Sequence, residues 1–133
     1  VDVVLATRET PPRVLLIQRK REPFAGQWAL PGGFVDENEV PADAARRELQ
    51  EETGVAIADL EQLYTAGEPG RDPRGWTVSI VFLARCNSGE VKPEAADDAQ
   101  AVQWFALDAL PELAFDHAKL LGRARARLAD REP

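Results

Sequence analysis

The hydrophobic pattern of this chain changes period along its length, and each change marks an element. Residues 1–7 (VDVVLAT) are β-branched and nearly all apolar, a turn follows at Thr10, Pro11 and Pro12, and residues 14–18 are apolar again. Both runs are expected as strands that pair as a hairpin or lie close together. Residues 28–30 lead into a glycine loop, after which Phe34 and Val35 are expected to open another short strand. The period then becomes helical: Pro41 suits a first helical position, residues 42–50 are rich in good helix formers, and Gly54 offers a left-handed stop. A helix is therefore predicted over 41–53. Residues 55–65 mix a turn at Ala58 and Asp59 with a strand, and 67–75 form a long loop rich in proline and glycine. In 76–84, Val78, Ile80 and Phe82 alternate with Thr77, Ser79 and Val81, the clearest strand pattern of the chain. An acidic loop over 88–98 precedes a strand at 101–105, Leu110-Pro111 interrupts, and a last helix over 115–128 carries Leu120, Leu121, Ala124 and Leu128. This order predicts an α/β fold, a mixed sheet with helices on both faces, in a single domain over 1–133.

The helix at 41–53 carries the unusual chemistry. Glu48, Glu51 and Glu52 stand three and four positions apart and share one arc, while Ala42, Ala45 and Leu49 form the neighbouring stripe suited to packing on a sheet. Like charges so placed repel, and helix energetics gives nothing in return. A divalent cation does, because carboxylates are hard oxygen ligands suited to Mg²⁺ or Mn²⁺. A solvated acidic face would be the default explanation for an isolated glutamate-rich helix. The preceding loop, Pro31-Gly32-Gly33-Phe34, argues otherwise, since consecutive glycines let backbone approach a charged ligand closely and expose a carbonyl. Arg47 sits beside Glu51 and within reach of the loop carrying Glu39, a place for orienting carboxylates rather than for contacting substrate.

Residues 33–55 read GFVDENEVPADAARRELQEETGV, which fixes Gly33, Glu39, Arg47, Glu48, Glu51, Glu52 and Gly54, with Leu49 and Val55 at aliphatic positions. With ordinary residue usage such a match arises by chance on the order of once in 10⁹ starting points. The run matches the Nudix box, and the chain resembles the Nudix hydrolases, which cleave nucleoside diphosphates linked to another group, X, with divalent cations. The resemblance spans essentially the whole chain and implies an α/β/α sandwich. It implies that Gly32 offers its carbonyl to metal, that Glu48 and Glu52 are metal ligands, and that Glu51 completes the set or takes the proton of the attacking water. Arg47 and Glu39 join the catalytic group. An acidic residue outside the box often contributes in this family; Asp98 is the candidate, with Asp97 and Glu94 competing.

Composition narrows the setting. The net charge of −7 disfavours nucleic acid and anionic lipid as partners, so an anionic substrate must be met by metals and local cations such as Arg19, Lys20 and Arg21, or Arg71 and Arg74. No run of apolar residues is long enough to cross a membrane. A lone cysteine, Cys86, in an apolar strand pattern fits a buried thiol and a cytoplasmic location. The sequence contains no methionine, so residues are expected to precede Val1.

Segments 71–76 (RDPRGW) and 113–117 (LAFDH) resemble those of bacterial ADP-ribose pyrophosphatases and of related ADP-ribose-sensing domains. Arg71 and Arg74 suit phosphate or ribose oxygens, Asp116 suits an adenine amino group or a ribose hydroxyl, and Trp28, Trp76 or Phe115 could stack on a purine. Arg19 is a further substrate candidate, and His117 is read as a hydrogen-bonding residue at a helix start. The expected activity is Mg²⁺- or Mn²⁺-dependent hydrolysis of ADP-ribose to AMP and ribose 5-phosphate, possible as a homodimer. The alternatives are a (d)NTP pyrophosphohydrolase clearing oxidised nucleotides and a non-catalytic sensor; the complete box favours an enzyme.

Overall fold

The computed structural model describes residues 1–129; the last positions of the expected domain, 130–133, lie outside the described residues. The elements in chain order are β1 (Asp2–Thr7), β2 (Arg13–Arg19), β3 (Trp28–Ala29), α1 (Pro41–Thr53), β4 (Glu61–Ala66), β5 (Ser79–Cys86), β6 (Ala99–Ala106) and α2 (His117–Ala129). The strands form one mixed sheet ordered β3-β2-β1-β5-β4, with β6 on the other edge of β2. β1 runs parallel to β5, and the other pairings are antiparallel.

Alternation along the strands sorts side chains between two layers. Val4 and Ala6 of β1, Val14 and Leu16 of β2, and Val81 and Leu83 of β5 pack with Leu120, Leu121 and Ala124 of α2. Val3, Leu5, Leu15 and Phe82 point the other way and pack with Ala45 and Leu49 of α1. The helices thus cover opposite faces of the sheet, giving an α/β/α sandwich. β1 is buried along its whole length, which is why it reads as a continuous apolar run rather than an alternating one.

β1 and β2 meet at a single register position, Ala6 with Val14. Beyond it they separate, because β2 gives one edge to β6 along its length and part of the other to β3 at Ile17 and Gln18. The segment after β3 fills the opening: Val3 N–H donates to Pro31 and Gly33 N–H to Val1, at 2.9 and 3.0 Å. β1 and β2, expected to pair as a hairpin or to lie close together, meet at that one position and are wedged open beyond it by the glycine loop.

α1 occupies the predicted range. Pro41 stands in its first turn, and Gly54 ends it at φ 76° with its N–H donating to Gln50. Other boundaries need correction. Phe34 and Val35 form no strand; their side chains are exposed at the rim of a cavity. β5 starts at Ser79 rather than at residue 76, because its partner β4 ends at Ala66, opposite Ser79, leaving residues 76–78 without a ladder. α2 starts at His117, two positions late, since Phe115 takes φ 53°, outside helical geometry.

Candidate active site

The wedge between β1 and β2 brings the Pro31–Gly33 backbone against α1. Glu52 lies on the same side of α1 as Leu49 and is buried at 6% exposure. Its Oε1 accepts the Gly32 N–H at 2.9 Å. One turn earlier, the Glu48 carboxylate stands so close to Gly33 that a β-carbon there would collide with it. A β-carbon at Gly32 would likewise strike the Val1 carbonyl and come within 2.8 Å of Asp2 Oδ1. Gly32 is therefore required by the approach of backbone, whereas at Gly33 it is the Glu48 carboxylate that would have to move.

Burial carries the Glu52 carboxyl up to about 8, even against the Gly32 hydrogen bond, and nearby Glu48 and Asp98 add to the rise. Burial also raises Glu48, although Arg47 opposes it. A buried Glu52 with no cationic side chain of the described residues bonded to it and a half-buried Glu48, beside a loop backbone, make a donor set that fits a hard divalent cation. Among the described residues no three acidic, histidine or cysteine groups are gathered into a ready-made cage. The structure brings Glu48 and Glu52 to the cavity and leaves Glu51 outside its lining, half-exposed and held by Arg47 Nη1 at 3.0 Å.

Arg47 works as a fork. Nε and Nη2 donate to the two oxygens of Glu39 at 2.7 and 3.0 Å, Nη1 reaches Glu48 at 3.2 Å, and Nη2 also donates to the Phe34 carbonyl. The Arg47 hydrogen bonds, helped by the Asp36 N–H, hold the Glu39 carboxyl down to about 2. Arg47 is thus placed between the loop and the acidic helix face, as its position in the sequence suggests.

The cavity has a volume of about 450 Å³ and a lining of mixed charge. Asp2, Glu48, Glu52, Asp72 and Asp98 line it together with Arg19, Arg21, Arg71 and Arg74. Asp98 is chosen over Asp97 and Glu94 by the backbone: the N–H groups of Glu94 and Ala96 donate to the Thr53 and Glu52 carbonyls at 2.8 and 3.0 Å. Those bonds satisfy carbonyls at the end of α1 and pin the acidic loop so that Asp98 faces the cavity, paired with Arg21 at 3.2 Å.

Two of the cavity arginines are braced by aspartates. Asp116 grips Arg71 through both oxygens, at 3.0 and 2.8 Å, and does not itself line the cavity. Both its oxygens are thus engaged in orienting Arg71, whereas the sequence suggested a contact with the ligand. Arg74 forks to Asp72 at 3.1 and 2.8 Å, and its guanidinium lies over Phe34 and Phe115, 5.3 and 5.4 Å from the ring centres. Arg19 covers Phe115 at 4.9 Å. Phe115 accordingly lines the cavity, whereas the tryptophans expected beside it do not. Trp28 packs edge-on against Phe105 in the core, at 5.0 Å. Trp76 is 79% exposed, because the segment preceding β5 has no strand to pair with.

Sequence reasoning missed a buried polar group beneath the cavity. Ser79 Oγ donates to Asp2 Oδ2 at 2.5 Å, and His117 Nε2 stands 3.4 Å from Asp2 Oδ1. His117 Nδ1 accepts the Leu30 N–H at 3.0 Å, so this residue is a hydrogen-bonding group at a helix start, as read. Burial alone would raise Asp2, but His117, with its Nε2 turned to this carboxylate, and the Ser79 hydroxyl outweigh it and bring the carboxyl to about 2. An aspartate inside the apolar run VDVVLAT was the signal available in the sequence.

A second cavity, of about 510 Å³, lies at the other end of the sheet between Thr7, Arg85, Leu107 and Leu128. It is larger but holds none of the carboxylates of α1, so size does not choose the site.

Residues 1–124 match the model of the NUDIX domain. The chain is 47% identical over 109 residues to an ADP-ribose pyrophosphatase of Methanocaldococcus jannaschii, covering 82% of this chain and 63% of that protein. It is 41% identical over 120 residues to the ADPR-responsive transcriptional repressor NtrR of Acinetobacter baylyi, covering 87% of this chain and 48% of the repressor. The chain therefore spans about half to two-thirds of the length of these relatives. Among solved structures, the NUDIX domain of Shewanella oneidensis NrtR complexed with ADP ribose superposes with a TM-score of 0.85 at 38% identity, covering 96% of this chain and 85% of that one.

Proposed function

The chain belongs to the Nudix family, and from that premise we propose that it is a divalent-cation-dependent pyrophosphohydrolase that cleaves ADP-ribose to AMP and ribose 5-phosphate. The observation that carries the reading is the convergence of Glu48 and Glu52 with the Gly32–Gly33 backbone on a cavity also lined by four arginines, Arg19, Arg21, Arg71 and Arg74. A bound Mg²⁺ or Mn²⁺ supplies positive charge against the diphosphate and acidifies water. Glu48, Glu52 and the Gly32 carbonyl would hold it, with Asp98 as a further oxygen donor. Arg71, fixed by Asp116, and Arg74, fixed by Asp72, meet phosphate or ribose oxygens with little side-chain entropy left to lose. Arg47 and Glu39 keep Glu48 and Glu51 in place. Water adds to one phosphorus as the anhydride P–O bond breaks, and its proton passes to a carboxylate of the coupled set, Glu51 or Glu52. Phe115 offers a ring to the base.

The choice of ADP-ribose is supported by the name of the M. jannaschii relative and by the ligand of the S. oneidensis domain. The test is a panel of ADP-ribose, nucleotide sugars, dinucleotides and oxidised triphosphates, assayed with Mg²⁺ and with Mn²⁺ and with products identified. Preference for ADP-ribose with AMP as product supports the reading, and equal rates on all members remove it. The repressor likeness favours a second reading, a module that senses ADP-ribose. Binding of ADP-ribose without turnover in either cation would establish that one instead.

A further inference from the structure

We infer that His117 is a positioning residue: by accepting the Leu30 N–H from a seat fixed by Asp2 and Ser79, it sets the Leu30–Gly33 backbone at the place where Gly32 can share a cation with Glu52. The inference rests on the cation reading given above. Its observations are independent of the box. The glycine loop is held on the α1 side by Gly32 N–H donating to Glu52 and on the β1 side by Val3 and Val1. Between the β3 pairing with β2, which ends at Ala29, and those bonds, the Leu30 N–H meets a side chain 87 positions away, His117 Nδ1, at 3.0 Å. His117 is 5% exposed, and its other nitrogen faces Asp2 Oδ1 at 3.4 Å. Asp2 is in turn fixed by Ser79 Oγ. A buried N–H that lost this acceptor would move to recover one.

The position of His117 also links the cavity arginines to the glycine loop. Phe115, Asp116 and His117 are consecutive, and they meet Arg19 and Arg74, Arg71, and the Leu30 N–H respectively. The start of α2 therefore registers these arginines against the loop backbone without contributing an oxygen to the metal. Partners that orient a ligand from behind change metal affinity by about 10- to 100-fold when removed.

The test is calorimetric titration of Mn²⁺ into the full chain, with thermal stability followed in parallel. Glu52→Gln must abolish the binding seen in the wild type; if it does not, the cation reading itself fails. Given that control, His117→Leu removes both bonds and is expected to weaken Mn²⁺ binding about 10- to 100-fold. Turnover should fall with it and recover as Mn²⁺ is raised, with KM for the nucleotide unchanged. His117→Asn also loses Asp2 but offers an oxygen near the Nδ1 position, and is expected to bind Mn²⁺ more tightly than His117→Leu and more weakly than wild type. Equal Mn²⁺ affinity in wild type and His117→Leu overturns the inference and leaves the network as a stabiliser of the fold alone. Should His117→Leu not fold, Ser79→Ala, which leaves the helix intact, decides: weakened Mn²⁺ binding supports the inference and unchanged binding overturns it.

Discussion

Glu52 lives with a conflict that defines the site. It is 6% exposed, its carboxyl is pushed up to about 8 by burial, and an N–H group rather than a cation meets it. Without a cation its charge is a liability to folding, and with one it becomes a ligand. Glu52→Gln keeps an oxygen for the Gly32 N–H and removes the charge. It is therefore expected to raise the cation-free stability at pH 8 by roughly 1 to 3 kcal/mol while lowering turnover by about 10²- to 10⁴-fold. Thermal melts and a steady-state assay at saturating Mg²⁺ check both halves. Gly33→Ala makes the complementary case, since the new β-carbon meets only the movable end of Glu48. The fold should tolerate it within about 1 kcal/mol, while Mn²⁺ binding and turnover drop because Glu48 must leave its place. A melt together with a Mn²⁺ titration separates those outcomes.

α1 holds its carboxylates in register because its other stripe is anchored. Leu49 is fully buried with Ala45 against Val3, Leu5, Leu15 and Phe82. Leu49→Ala should cost about 2 to 5 kcal/mol in denaturant melts, and its remaining folded fraction should keep the wild-type KM for substrate. This helix was legible in full, since Pro41, Gly54 and the spacing of its glutamates are local signals with local causes. Elements set by partners far along the chain were not. Residues 76–78 alternate like a strand, yet β4 ends opposite Ser79 and leaves them nothing to pair with. Asp116 was legible as a functional position but not in its role, because only the folded chain reveals Arg71 lying across both its oxygens. The Asp2–His117 contact joins the two ends of the described chain, and no local pattern announces it.

At the scale of the whole molecule, opposite pKa shifts shape stability. Asp2 is carried below its ordinary 3.8 to about 2, burial being outweighed by His117 and Ser79, so its contribution is full above pH 3.8 and is lost as pH falls toward 2. Glu39, lowered from 4.5 to about 2 by Arg47, acts in the same direction, softened by solvent. Glu52 acts oppositely: raised from 4.5 to about 8, it favours the protonated native state, so stability erodes as pH rises from 4.5 through 8. Cation-free protein is therefore expected to be most stable at about pH 4 to 5, and Mg²⁺ or Mn²⁺ should lift the alkaline side selectively. Melts across pH with and without cation test this, and a cation effect of equal size at pH 4 and pH 8 would contradict it.

The same electrostatics explain how a chain of net charge −7 can receive a polyanion. Four arginines line the same cavity as the carboxylates, and two of them, Arg71 and Arg74, are fixed by Asp116 and Asp72. What the account requires above all is that a cation bind between α1 and the glycine loop. Anomalous diffraction from crystals soaked in Mn²⁺ tests that directly. The expected result is density bounded by Glu48, Glu52 and the Gly32 carbonyl; Mn²⁺ bound only elsewhere, with that position vacant at saturating concentration, would contradict the account.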